Sequence, residues 1–97
     1  MITSKQRKYL RSLANTLRPL LQIGKSGINP NLVKQLDDAL EARELVKATV
    51  LQSTPDSVEE ISRRLAEMTG SELVQVIGNK FVVYRESKDS KTIVLPD

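Results

Sequence analysis

Three stretches with apolar residues at helical spacing alternate with short runs rich in β-branched residues, and this alternation constrains the fold more than any other feature. Leu10, Leu13 and Leu17 recur at i, i+3 and i+7, on one face of a helix, with Tyr9 beside that stripe. Thr3 followed three residues later by Gln6 fits a capping box, so the first helix is expected from about Thr3 to Asn15, ended by Pro19. A short strand, about Leu20 to Ile23, runs into Gly24-Lys25-Ser26-Gly27. Asn29 as cap and Pro30 in the first turn then open a second helix. Its buried stripe is Val33, Leu36 and Leu40, with Asp37, Asp38 and Glu41 left to water, and it ends near Ala42 or Arg43.

The segment Leu45 to Leu51 reads as a strand, and Gln52 to Asp56 as a turn. A third helix is expected from about Ser57 to Met68, with Asp56 as cap, Glu59 at the capping-box position and Gly70 as its stop. Val58, Ile61, Leu65 and Met68 form its apolar face. Leu73 to Ile77 and Lys80 to Arg85 are two further strands, joined by the hairpin signal Gly78-Asn79. Phe81 and Tyr84 fall on opposite faces of their strand, with Phe81 in the core and Tyr84 free to be exposed. The order αβαβαββ predicts an α/β (α+β) two-layer sandwich, helices on a four-stranded mixed sheet, with right-handed crossovers. The 97 residues suit one domain, with a folded core over about 3–85. The polar segment Glu86 to Thr92 is expected to be mobile, and Ile93 to Pro96 either docks or is only tethered.

The chain has no Cys and no His, which removes thiol chemistry, imidazole bases and zinc fingers. No carboxylate cluster suggests a metal, so neither metal nor cofactor is expected. The charged N-terminus is followed by no apolar run, and the longest such run, Phe81-Val82-Val83-Tyr84, is far short of a membrane span. A soluble cytoplasmic monomer is the expectation.

The net charge of +3 hides an asymmetry. Residues 1–36 carry seven cations (Lys5, Arg7, Lys8, Arg11, Arg18, Lys25, Lys34) and no acid, whereas all twelve acids lie in residues 37–97. On the first helix Lys5, Arg7, Lys8 and Arg11 fall on the arc opposite the leucines, and Lys5, Lys8 and Arg11 form a row on neighbouring turns. Such a row is a solvated face or a track for phosphates. The loop Gly24-Lys25-Ser26-Gly27 follows a strand and precedes a helix N-terminus. Glycines let a phosphate approach the backbone, the helix start offers unpaired N–H groups, Lys25 adds a cation and Ser26 a hydroxyl. The same spacing also occurs in ordinary turns, and the P-loop spacing is absent. Arg18 is a further candidate near the loop. With three aromatics in all, recognition of backbone and shape is expected over base reading.

Separated motifs then stand in one order: Leu20-Leu21-Gln22-Ile23-Gly24-Lys25-Ser26-Gly27, Ala39-Leu40-Glu41-Ala42-Arg43-Glu44-Leu45-Val46-Lys47, Val74-Gln75-Val76-Ile77-Gly78, Val83-Tyr84-Arg85 and Leu95-Pro96. The chain closely resembles the bacterial YhbY proteins, stand-alone CRM (chloroplast RNA splicing and ribosome maturation) domains. The resemblance implies a fold like the C-terminal domain of translation initiation factor three, with sheet order 1-2-4-3 and strand 4 antiparallel to its neighbours. It also implies a non-enzymatic RNA-binding protein associated with precursors of the large ribosomal subunit. The family's RNA-contact loop maps onto Gly24, Lys25, Ser26 and Gly27, and its basic helix onto Lys5, Lys8 and Arg11. Gly78-Asn79-Lys80 matches the family less closely, since a second basic residue often stands where Asn79 is, so the resemblance leaves an RNA contact from this hairpin open. Glu44 and Lys47 are expected to be solvated or paired at a helix-to-strand junction, with Arg43 within reach of RNA. The alternative function is a protein-interaction domain whose basic face docks an acidic ribosomal or assembly-factor partner.

Overall fold

The computed structural model describes residues 2–97. Its elements are α1 (Ser4–Ala14), β1 (Leu21–Ile23), α2 (Pro30–Arg43), β2 (Leu45–Val50), α3 (Val58–Thr69), β3 (Glu72–Ile77) and β4 (Lys80–Tyr84). The strands form one sheet in the order β1-β2-β4-β3. β1 and β2 are parallel, and β4 is antiparallel to both its neighbours, as the resemblance implied.

Local chemistry sets the helix ends. The capping box on α1 is present: Gln6 N–H donates to Thr3 Oγ1 at 3.1 Å and Thr3 N–H to Gln6 Oε1 at 2.9 Å. The helix stops at Ala14, well before Pro19. Thr16 turns its hydroxyl back onto the Leu13 carbonyl at 3.2 Å, a local bond that competes with helix continuation. Asn29 caps α2 through Leu32 N–H at 2.9 Å, with Pro30 in the first turn. On α3 the expected cap is displaced by one residue. Ser57, not Asp56, accepts from Glu60 N–H at 3.2 Å, and Asp56 instead pairs with Arg64 at 3.6 Å. Met68, expected in the core, is 55% exposed. Small residues Ser62 and Ala66 bring their flank of α3 against the sheet, which centres the buried arc on Ile61, Leu65 and Thr69 and rolls Met68 outward.

The helices pack on the mixed sheet as expected, and α1 adds a cover on its second face. On one face α2 and α3 bury Ile23, Leu36, Leu40, Val46, Ile61, Leu65, Phe81 and Val83. On the other, Leu10 and Ala14 of α1 pack on Leu45, Val74, Val82 and Tyr84, joined by Ile93 and Leu95 of the C-terminal tail. Strand alternation explains the division, and Tyr84 is buried, not exposed, because its face too has a cover. A register shift between Leu73 and Gln75 in β3 lets Leu73 and Val76 both reach the α2–α3 side despite their odd separation.

The tail is tied down, contrary to the expectation of mobility. Glu44 caps α2 with φ +68° and is fully buried, neither solvated nor ion-paired. Its Oε1 accepts from Thr92 N–H at 2.7 Å and Ile93 N–H at 2.8 Å, and its Oε2 from Ser87 N–H at 2.8 Å. One turn earlier, Glu41 Oε2 accepts from the Ser87 hydroxyl at 2.7 Å, with Lys88 and Asp89 N–H at 3.2 Å. Farther on, Gln6 Nε2 donates to the Pro96 carbonyl at 2.9 Å, fastening the tail to α1.

Burial pushes the Glu44 carboxyl up, but the N–H groups of Ser87, Ile93 and Thr92 and the Thr92 hydroxyl outweigh it and hold the acid below its ordinary range. Glu41 is lowered too, first by the Ser87 hydroxyl. A depressed folded pKa gives stability that is present above the unfolded carboxylate value, about 4.3, and lost as pH falls through the folded one. Glu44→Gln is therefore expected to cost about 1–3 kcal/mol near neutral pH, because backbone donors lose a charged acceptor. Urea midpoints measured from pH 7 to pH 3 should also show a shallower acid decline in the variant than in the unsubstituted protein.

Candidate nucleic-acid interface

The Gly24–Gly27 loop grows from a braced strand end. The Ile23 carbonyl accepts from Leu51 N–H at 2.8 Å and from the Thr54 hydroxyl at 2.6 Å, so the segment after β2 holds the base of the loop. Gly27 N–H donates to the Gly24 carbonyl at 2.9 Å and closes the turn. Gly27 has φ +65°, and a Cβ there would lie 3.4 Å from Pro55 Cγ. Gly24 is less constrained, since a Cβ would make only ordinary contact with Leu51 at 3.7 Å. Lys25 and Ser26 stand exposed at the tip, and among the described residues their backbone N–H groups have no protein partner. Beside them lies a polar hollow of about 210 Å³, lined also by Gln22, Asn31 and Gln35 and reaching the capped start of α2. A small cradle of amides with one cation and one hydroxyl results, suited to an anionic oxygen.

On α1 the row Lys5, Lys8 and Arg11 is exposed, each step rising about 4.5 Å along the axis. Arg7 is not part of it. Its guanidinium donates to the Leu73 and Val74 carbonyls at the β3 irregularity. Three residues before Leu10, it lies on the buried flank, and the register shift leaves carbonyls for it to satisfy. Arg18 is not beside the loop. It precedes β1 while the loop follows it, and it shares a hollow with Arg43 and Lys47. Tyr9, 38% exposed, is the aromatic ring most open to solvent.

Ion pairing sorts the cations. Lys34, Arg63, Arg64, Arg85 and Lys91 have carboxylate partners. Among the described residues, Lys5, Arg7, Lys8, Arg11, Arg18, Lys25, Arg43, Lys47, Lys80 and Lys88 have none, and of these Arg7 is held by carbonyls. For Lys47, expected to be solvated or paired, this excludes the paired arrangement. Lys80 belongs to the hairpin Gly78-Asn79-Lys80, for which the resemblance left an RNA contact open; its side chain is exposed at an outward register position of β4. A larger hollow of about 590 Å³ lies between α2 and α3, but its cations Lys34 and Arg64 are neutralised by Asp38 and Asp56. Among the described residues no group of three His, Cys, Asp or Glu could hold a metal, and no helix is long and apolar enough to cross a membrane.

The CRS1/YhbY (CRM) domain family matches residues 2–85. The "Probable RNA-binding protein YqeI" of Bacillus subtilis is 48% identical over 99% of this chain and 100% of its own length. An "RNA-binding protein" of Haemophilus influenzae is 30% identical over 98% of this chain and 95% of its own. The solution structure of the hypothetical protein SAV1595 from Staphylococcus aureus superposes with a TM-score of 0.82 at 57% identity, covering 99% of this chain and 100% of that one. The family match, the sheet order and relatives aligned from end to end all converge, and the chain belongs to the CRS1/YhbY (CRM) domain family.

Proposed function

We propose that this protein binds RNA without catalysing a reaction on it, and that its RNA is ribosomal, within precursors of the large subunit. The observation that carries the binding is a loop of free amides with Lys25 at its tip, together with a separate row on α1, Lys5, Lys8 and Arg11, that has no carboxylate partner among the described residues. The names of relatives point the same way. The ribosomal assignment rests on the family resemblance.

The mechanism is electrostatic and geometric. A phosphate seats against the N–H groups of Lys25 and Ser26, where glycine flanks leave the backbone uncovered. Lys25 neutralises it, and the α1 row neutralises phosphates further along. Arg18, with Arg43, lies toward the opposite end of β1 and extends the basic surface there. Nothing in such a site needs a nucleophile or a general base. Each phosphate engaged releases counterions, so affinity falls with salt.

Lys25→Ala is expected to weaken binding of a large-subunit rRNA fragment several-fold, to lower the slope of log affinity against log salt by about 0.7–0.9, and to leave the urea midpoint unchanged. A fluorescence titration at several salt concentrations reads both quantities. An unchanged slope would remove Lys25 from the interface.

The two glycines separate binding from folding. Gly27→Ala forces a Cβ into the left-handed region beside Pro55 and should cost about 1–2 kcal/mol of stability. Gly24→Ala should leave the melting temperature unchanged and weaken RNA binding by crowding the loop backbone. Undiminished RNA affinity in Gly24→Ala would argue against close phosphate approach at that position.

A further inference from the structure

We infer that the half of the sheet face left uncovered by α1 is a second phosphate track, centred on Lys47 and Lys80, which carries the RNA backbone from the α1 row to the glycine loop. This rests on the RNA-binding reading above and adds two cations to it.

The register places the parts. Val46, Ala48 and Val50 face α2 and α3, so Lys47 and Thr49 face the other side, and on β4 Val82 and Tyr84 mark that same side for Lys80. Gln22 on β1 alternates with the core residue Ile23. Across the sheet Gln22 pairs with Thr49, Thr49 with Lys80, and Lys80 with Ile77. The next row sets Lys47 opposite Val82 and Val82 opposite Gln75. Among the described residues, α1 buries Leu45, Val74, Val82 and Tyr84 of this face. The remainder is a strip of Lys, Gln and Thr with Ile77, and it contains no carboxylate.

The strip joins the two parts of the proposed interface. At one end Asn15, the C-cap of α1, lines a hollow of about 90 Å³ together with Lys47, Gln75, Ile77 and Lys80. Arg11, in the last turn of α1, is the nearest member of the row to that end. At the other end Gln22 lines the hollow of the glycine loop. A strand laid along α1 and seated in the loop therefore crosses Lys47 and Lys80 on the way. Among the described residues these two lysines have no acidic partner, and Lys80 Nζ donates only to Asn79 Oδ1, at 3.3 Å. The acids of the tail junction, Glu41 and Glu44, lie at the far end of α2 from the loop. The charge and continuity of the strip fit a polyanion; an acidic protein surface or a second copy of this chain are the competing occupants.

The test is a double variant, Lys47→Gln/Lys80→Gln, titrated against a fluorescein-labelled RNA of about 20 nucleotides from about 50 to 300 mM salt. Affinity should fall roughly tenfold and the salt slope drop by about 1.4, the value for two phosphates on a single strand. Lys→Arg at both positions should restore the slope. Lys88→Gln/Lys91→Gln on the tail removes the same charge and should change affinity less than about twofold; an equal loss there would mean net charge alone matters and would overturn the track. Lys47 is half-buried, so Lys80→Gln alone, on an exposed side chain, serves if the double variant melts early. It should lower the slope by about 0.7. Full affinity in these variants while Lys25→Ala weakens binding would refute the track and leave the loop in place. Failure of the unsubstituted protein to bind RNA at any salt would refute both. Loss of self-association in sedimentation, with RNA affinity intact, would reassign the strip to a protein interface.

Discussion

The buried carboxylate of Glu44 is the interaction on which the rest of this architecture depends. A charge removed from water is stable only when donors surround it. Here the donors are backbone N–H groups of Ser87, Thr92 and Ile93, residues far along the chain that belong to no helix or strand. Glu44 thereby turns a polar, irregular tail into part of the fold. It sits where α2 gives way to β2, in a positive-φ conformation that a non-glycine residue holds only when its surroundings over-determine it. Arg85 N–H donates to its carbonyl at 2.9 Å, so one residue joins α2, β2, the end of β4 and the tail.

The two faces of the sheet consequently serve different purposes. The α2–α3 face is sealed by aliphatic packing. The opposite face is sealed over one half only, by α1 and by Ile93 and Leu95, which the Glu44 junction delivers there. The other half stays polar, and it opens toward the glycine loop. Many of the acids are engaged in structural contacts: with tail amides, with Arg63, Arg64 and Arg85, and with Ile2 N–H at Glu72. Among the described residues, Lys5, Lys8 and Arg11 of α1, Lys25 of the loop and Lys47 and Lys80 of the open sheet strip are left without carboxylate partners. A modest net charge of +3 is thus compatible with a strongly directional surface.

Much of this was legible in the sequence. Helical spacing and β-branched runs placed every element to within a few residues, and the acid-free first third marked the basic side. The glycine loop was visible because its flanks, a strand before and Asn29-Pro30 after, were visible. The failures share a cause. Arg7, Met68 and Arg18 were placed by helix angle or by proximity along the chain, whereas their positions follow from a strand irregularity, a pair of small residues and the direction of β1. Glu44 read as an ordinary junction acid because nothing local supplies its donors. That Lys47 and Lys80 share one open strip was not legible for a similar reason: which half of a sheet face is covered depends on where a distant helix lies.

The sequence by itself determined the elements, their order and the chemistry of the loop, because periodicity, capping and glycine conformation act over a few residues. Tertiary structure alone decided which charges are buried, which are paired and which remain available, because those outcomes depend on contacts between residues tens of positions apart. Glu44 and Lys47 stand three residues apart in one motif; folding encloses the first in amides and leaves the second without a counter-charge.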